Sequence, residues 1–365
     1  MGEFVLPAAF QPQNDSSLLG VVPFCDEGDP PMGKLIGTEL DGRLLTDLSS
    51  LSPQNPLTPN ERFFIRTRAS KLLDTTRPWT IQIGGRVEKT LTIPIRVLTE
   101  KSRPLGIHLT ECSGNTRAAH FGLLSIASWE GVPLHEVFEQ ARPRISGGRV
   151  LVSGFDRYQE ESMTSEPGAS WIFTSDQLLS SHAFLATKMN GKPLGVDHGA
   201  PVRLIVPGWY GCVCIKWVNQ IDYVSEDAPA TSQMQEYASR TMQTGLPSLA
   251  REYRPAVMEP SAIPTRVEKW RIANKITYKV IGIQWGGGRI SQPEIEIRFN
   301  PDGRFVPVEN FRSEACWCYW GCEWSPARLG RFTMRLRLNT ANSTASRLNS
   351  GYYDRTVEIT DIQNT

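Results

Sequence analysis

Excess charge of either sign is missing from this 365-residue chain: 39 Lys and Arg stand against 38 Asp and Glu, a formal net charge of +1. That balance leaves no electrostatic footprint for nucleic acid or an anionic membrane surface. Long apolar runs are missing too. No stretch approaches the ~20 apolar residues of a membrane helix, so no span is expected. The N-terminal MGEFVLPAAFQPQNDSS has neither the basic start nor the apolar stretch of a signal peptide. Cysteine is present seven times, an odd number, without a C-x-x-C pair, which speaks against a disulfide framework or a zinc ribbon. No His-Pro-Gly-Gly haem segment and no flavin or nicotinamide fingerprint occurs, so no haem, flavin or nicotinamide cofactor is expected.

What is present divides in two, as a chain too long for one ordinary core should. Residues 1–57 are rich in Pro, Gly, Asp and Ser, and read as an arm wrapping the first domain. Residues 58–240 mix short strands (RFFIRTR, TIQIGGRV, HLTEC, GRVLVSGF, HAFLATKM, PVRLIVPGW) with a helix at VPLHEVFEQA, an α+β pattern. A linker with four prolines, LPSLAREYRPAVMEPSAIPT, follows. From about residue 250 to 365 the helical signal disappears. Alternating runs such as KITYKVIGIQW, EIEIRFN, FTMRLRLN and DRTVEITDI predict an all-β immunoglobulin-like sandwich of about seven strands.

Three segments carry chemistry. In Glu111-Cys112-Ser113-Gly114-Asn115-Thr116-Arg117, a cysteine ends the strand-like GIHLT and enters a sharp turn, with an arginine five residues on. Such a cysteine can be a thiolate ligand for a soft or high-valent metal, or simply a small buried hydrophobe. In Asp197-His198-Gly199-Ala200-Pro201-Val202-Arg203, followed by Cys214-Ile215-Lys216-Trp217, His198, Arg203 and Lys216 could converge on one phosphorylated ligand. Each also reads singly as a turn histidine, a surface arginine and a snorkelling lysine. In Phe63-Phe64-Ile65-Arg66-Thr67-Arg68, two arginines share a strand face, so either they meet solvent or an anion lies against them. A fourth candidate, Cys316-x-Cys318-x-x-x-Cys322, has three sulfurs and no nearby His, and reads as part of a Trp-rich strand.

In order and spacing, CSGNTR, Trp129-Glu130-Gly131-Val132-Pro133-Leu134, the Asp197–Arg203 motif with its Val-Pro-Gly and Lys-Trp, and the Trp285-Gly286-Gly287-Gly288 turn resemble the sulfite oxidase family. The resemblance covers roughly residues 58–362. It implies a molybdopterin-binding catalytic domain and an immunoglobulin-like dimerisation domain. It implies a molybdenum-molybdopterin cofactor with Cys112 as the metal ligand. Phe64, Ile65, Arg66, Thr67 and Arg68 would line the pterin and the metal. Asp156, His198, Arg203, Cys214, Ile215 and Lys216 would hold the pterin and its phosphate. Arg66, Arg117 and Arg68 would meet an oxyanion, and Tyr237 would stand beside the metal.

The chain departs from the family at Arg68, where a His is usual, and at His120 and Phe121, which occupy the place of a pocket Trp. The function implied is oxygen-atom transfer, with sulfite oxidised to sulfate and electrons passed to a separate acceptor, a cytochrome. Another sulfur oxyanion or an S-oxide is the second substrate class. A cysteine hydrolase built on Cys112 and a non-catalytic anion or pterin carrier are readings of other classes. A homodimer and a periplasmic location complete the expectation.

Overall fold

A computed structural model of the chain describes residues 10, 15–25, 27–67, 69, 73–141, 148–155, 169–286, 294–301, 303–314, 317–339 and 345–362. Arg68, Asp156, Cys316, Gly287 and Gly288 lie outside the described residues.

The first domain is built on two five-stranded sheets. One is ordered Ser170–Thr174, Arg149–Gly154, Val218–Val224, Thr80–Gly85, Leu91–Pro94, with a parallel pair between Thr80–Gly85 and Val218–Val224. The other runs Lys192–Pro193, Phe184–Met189, Leu124–Pro133, Arg103–Glu111, with Arg203–Ile205 beside Phe184–Met189. The helix read from VPLHEVFEQA forms over Leu134–Ala141 and buries Leu134, Val137, Phe138 and Ala141. That is the i, i+3, i+4, i+7 stripe an amphipathic helix turns to its core.

The second domain is a sandwich of two more five-stranded sheets. In Ile295–Asn300 and Gly330–Leu338 buried and more accessible residues alternate, as a strand with one face on a core requires. The Trp-rich run becomes the strand Trp317–Trp324, with Trp317, Cys318, Tyr319 and Trp320 all buried. No group of three metal-ligating side chains occurs among the described residues. The sandwich begins inside the expected linker, since Ser261–Ile272 is already strand.

The N-terminal segment departs from the expectation of an arm on the first domain. Ser16–Val22 pairs antiparallel with Ser261–Ile272, and Phe24–Cys25 with Arg355–Ile359, so each joins one sheet of the sandwich at its edge. Open sheet edges carry unpaired backbone groups that a passing strand satisfies. Glu27 then locks the segment there, its buried carboxylate taking Nε of Arg355 at 2.8 Å and Nη2 of the same side chain. Only the next part turns to the first domain: Asp41–Leu44 pairs with Ile65–Arg66. The strand expected over RFFIRTR shrinks to that pair, because Asn60–Arg62 forms a 3-10 turn.

The two domains share an apolar seam. Leu109, Phe121, Leu124 and Ile126, which flank Cys112 in the first domain, pack in one core with Tyr278, Ile283, Trp285 and Tyr353 of the sandwich. The connection between Arg103–Glu111 and Leu124–Pro133, which carries Cys112, therefore sits on the domain boundary.

Candidate active site

Cys112 leaves the end of a strand whose last four residues are all buried. Its amide donates to the Leu123 carbonyl at 2.9 Å, closing the neck of the loop, and its carbonyl accepts from the Asn115 amide at 2.9 Å. Asn115 is fully buried and its Oδ1 accepts from the Leu123 amide at 3.0 Å. These bonds fix the turn that the Ser-Gly-Asn sequence predicts. They hold the sulfur against the guanidinium of Arg66, whose Nη1 lies 3.6 Å from Sγ.

Arg66 also faces Tyr237, with 6.0 Å between its guanidinium carbon and the ring centroid; Arg240 faces the same ring at 5.5 Å. Burial opposes the charge on Arg66, but Cys112 and Tyr237 beside it raise its pKa overall. Burial pushes the Tyr237 phenol up despite Arg66, so it stays protonated and able to donate. A cavity of about 580 Å³ opens here, lined by Arg43, Arg66, Arg240 and Arg347 together with Gly114 and Tyr352. Among the described residues its lining has four guanidinium groups and no carboxylate.

Arg117, expected on the substrate, is not among the residues that line this cavity. Its side chain leaves a 3-10 turn, Arg117–Ala119, toward the sandwich, where Nη2 donates to the Gly351 carbonyl at 3.4 Å. His120 and Phe121, at the place of a pocket Trp, also turn away. His120 Nε2 pairs with the Gly28 carbonyl at 3.0 Å, and Phe121 is wholly buried against Tyr352 and Tyr353.

Sequence reasoning passed over Arg43, Arg240 and Arg347. Arg240 had a signal, since it follows Tyr237 by three residues, about one helical turn. Arg347 had none. It reaches across from the sandwich, with Nη2 donating to the carbonyls of Ser113 at 3.1 Å and Arg240 at 2.9 Å.

The second cluster assembles around Lys216. Its Nζ donates to Thr67 Oγ1 and approaches the Arg66 carbonyl at 3.4 Å, while Thr67 Oγ1 lies 3.1 Å from the Asp197 carbonyl. Arg203 is buried, with Nη1 on the His198 carbonyl and Nη2 on the Cys214 carbonyl, both at 3.2 Å. Burial, then Lys216 and Arg203, press the His198 pKa down to about 3, so the ring is neutral. Its Nε2 lies 3.2 Å from the Asn60 carbonyl, and Phe63 packs edge-on against it. Ile215 is buried, and Cys214 Sγ accepts from the Val206 amide at 3.5 Å. Phe64 stacks on Phe63, and its amide donates to Ser125 Oγ at 3.0 Å.

Arg203 Nε and Arg240 Nη1 are buried with no hydrogen-bond partner among the described residues. Orphaned cationic donors cost several kcal/mol unless an anion meets them. Together with the Cys112 sulfur and Lys216, this donor set fits a metal-pterin carrying a phosphate.

The comparisons agree. The family model described as the oxidoreductase molybdopterin binding domain matches residues 69–232. A nitrate reductase [NADPH] of Beauveria bassiana is 28% identical over 299 residues, 68% of this chain and 33% of that protein. The mitochondrial sulfite oxidase of Mus musculus is 26% identical, covering 64% of this chain and 45% of its own. The catalytic subunit MsrP of a Xanthomonas axonopodis protein-methionine-sulfoxide reductase is 28% identical, covering 59% and 68%. The chain thus spans only about a third of the nitrate reductases it matches. Among solved structures, the sulfane dehydrogenase SoxCD of Paracoccus pantotrophus shares the fold, with a TM-score of 0.66 and 17% identity, over 90% of this chain and 89% of that one. With the motif order, the matched domain and the shared fold in place, residues 69–232 carry an oxidoreductase molybdopterin binding domain, in a chain similar to sulfite oxidases, nitrate reductases and MsrP.

Proposed function

We propose that the chain oxidises a small sulfur oxyanion, sulfite first, and passes the electrons to a separate acceptor. The observation that carries this reading is the set of four arginines that line the cavity beside Cys112. The balance is simple: sulfite gains one oxygen from water and releases two protons and two electrons. When bound, the molybdenum-pterin supplies the two-electron change and the oxygen transfer.

The chain's own residues bind and aim. Cys112 would hold the metal through sulfur, with Arg66 as its cationic neighbour. His198, Arg203, Lys216 and the backbone of Cys214 and Ile215 would cradle the pterin and its phosphate. Asp156 and Arg68 belong to the same proposal through the resemblance. Arg66, Arg240 and Arg347 would cancel the charge of the incoming anion, and the Tyr237 hydroxyl would donate to its oxygen. A cytochrome acceptor, a homodimer formed through the sandwich and a periplasmic location complete the proposal. No helix among the described residues is long and apolar enough to cross a membrane.

A second reading has its own support. A four-atom oxyanion fills a small part of 580 Å³, so a larger sulfur oxyanion or an S-oxide would also fit. The test is elemental analysis for molybdenum, followed by steady-state kinetics over sulfite, thiosulfate and S-oxides with an artificial electron carrier. Sulfite turnover with the highest kcat/KM is expected. A fully loaded enzyme inert to sulfite would overturn the sulfite assignment.

A further inference from the structure

Glu111, the residue before Cys112, has no role in the proposed chemistry, yet it is wholly buried at the domain boundary. Its carboxylate meets donors on every side. Trp285 Nε1 donates to Oε2 at 2.8 Å, and the Tyr353 hydroxyl to Oε1 at 3.2 Å; both come from the sandwich. Asn115 Nδ2, from the Cys112 loop itself, donates to Oε1 at 3.3 Å. All three contacts are donors to the two carboxyl oxygens, which accept them.

The same loop is gripped at two further points by the sandwich. Tyr352 donates its hydroxyl to the Asn115 carbonyl, and Arg347 donates Nη2 to the Ser113 carbonyl at 3.1 Å. Thus four sandwich side chains, Trp285, Arg347, Tyr352 and Tyr353, converge on residues 111–115. A buried carboxyl group whose removal leaves an indole N–H, a phenol and an amide without this partner is strongly specified in place.

We propose that Glu111 is a positioning residue: through Trp285 and Tyr353 it makes the sandwich domain the clamp that sets the orientation of the Cys112 sulfur. This rests on reading Cys112 as the metal ligand. The clamp gives the sandwich a part in the active site. Outer partners that orient a metal's ligands typically carry tenfold to hundredfold effects on metal affinity or activity.

The test uses the cofactor-loaded full chain and three measurements: hydrogen exchange of amides 112–116, the thiolate-to-metal charge-transfer absorption, and kcat and KM separately. Glu111→Ala, and Trp285→Phe as the milder variant should the first not fold, are expected to speed exchange in the loop and shift the absorption. They should lower kcat by roughly tenfold or more while KM changes little. Glu111→Gln should recover part of the loss, because its amide oxygen can still accept from Trp285. Tyr278→Phe, which removes a sandwich bond to the Asp361 carbonyl at 2.6 Å, serves as the control and should leave all three unchanged. If Trp285→Phe only lowers the melting temperature, as the control does, with exchange and absorption at parental values, the clamp is wrong. Cys112→Ser separates the underlying reading: if it keeps the absorption, Cys112 is not the ligand, whatever the Glu111 variants do to exchange.

Discussion

The guanidinium of Arg66 lies 3.6 Å from the sulfur of Cys112, one strand residue and one loop residue brought together from 46 positions apart. Tyr237 faces Arg66 and Arg240, and Arg347 lines the same cavity, so the first expectations concern that contact directly.

Cys112→Ser should fold and retain the pterin but lose turnover, because a hydroxyl is a harder and poorer ligand than a thiolate. The stability cost should be roughly 1 kcal/mol, since the loop is held by backbone bonds the serine keeps. Pterin fluorescence, metal content and activity of one preparation check it, and full activity would refute it.

Gly114→Ala probes the cavity without removing a charge. A Cβ there would come within 2.7 Å of Arg66 Nη1 and 3.4 Å of Arg240 Nη1. Both are ends of flexible side chains, so the fold should survive while the two guanidinium groups move apart. A raised KM with a melting temperature within a few degrees of the parent is expected. Unchanged kinetics would show that their spacing does not matter.

Arg66→Gln should raise KM more than Arg117→Gln, because Arg66 lines the cavity and Arg117 is spent on the Gly351 carbonyl. For the unaltered enzyme KM should rise with salt, since part of the attraction of an anion to four arginines is screened over about 10 Å at 0.1 M. The reverse ranking of the two variants would return Arg117 to the substrate.

His198 makes stability depend on acidity. Its pKa is about 3 in the folded chain, against 6.5 as the ordinary value, so below pH 6.5 the unfolded chain takes up a proton that the folded one refuses. Stability from this group is therefore complete above pH 6.5 and falls by about 1.4 kcal/mol per pH unit toward pH 3. Urea titrations between pH 7 and pH 5 should show a flatter decline for His198→Gln. Identical slopes would mean that His198 is not held neutral.

The sandwich should pair two copies about a two-fold axis. Its edge strand Ser16–Val22 holds Leu18 and Val21 nearly half exposed. Light scattering at micromolar concentration should give twice the mass of one chain, and a strictly monomeric mass would contradict the expectation.

Much of the fold could be read from local pattern. The helix Leu134–Ala141 and the sandwich strands announce themselves by period, because each buries one face or stripe. The Cys112 turn and the Lys216 cluster were legible because each lies in a short segment whose residue types are unusual together. What escaped was long-range. Arg347 sits in a short helix, Ser346–Ser350, with nothing nearby to suggest that it reaches Ser113, 234 residues earlier. Glu111 was in view inside the motif, but its meaning depends on Trp285 and Tyr353, which only tertiary packing brings to it. Arg117 shows the converse limit: counting from Cys112 gives a position in sequence, and the 3-10 turn at Arg117–Ala119 decides where the side chain points.

The pairing of Ser16–Val22 with Ser261–Ile272 has a consequence for how the chain is made. A ribosome delivers the edge strand first and its partner some 250 residues later, after the entire catalytic domain has emerged. At a typical synthesis rate of about 5–20 residues per second, the early strand waits on the order of tens of seconds with its backbone unmatched. The catalytic half can collapse in that interval; the sandwich cannot close until Ser261–Ile272 and Arg355–Ile359 have been made. Contacts of such separation slow the final closure, and they make Ser16–Val22 a strand that is made early and placed late.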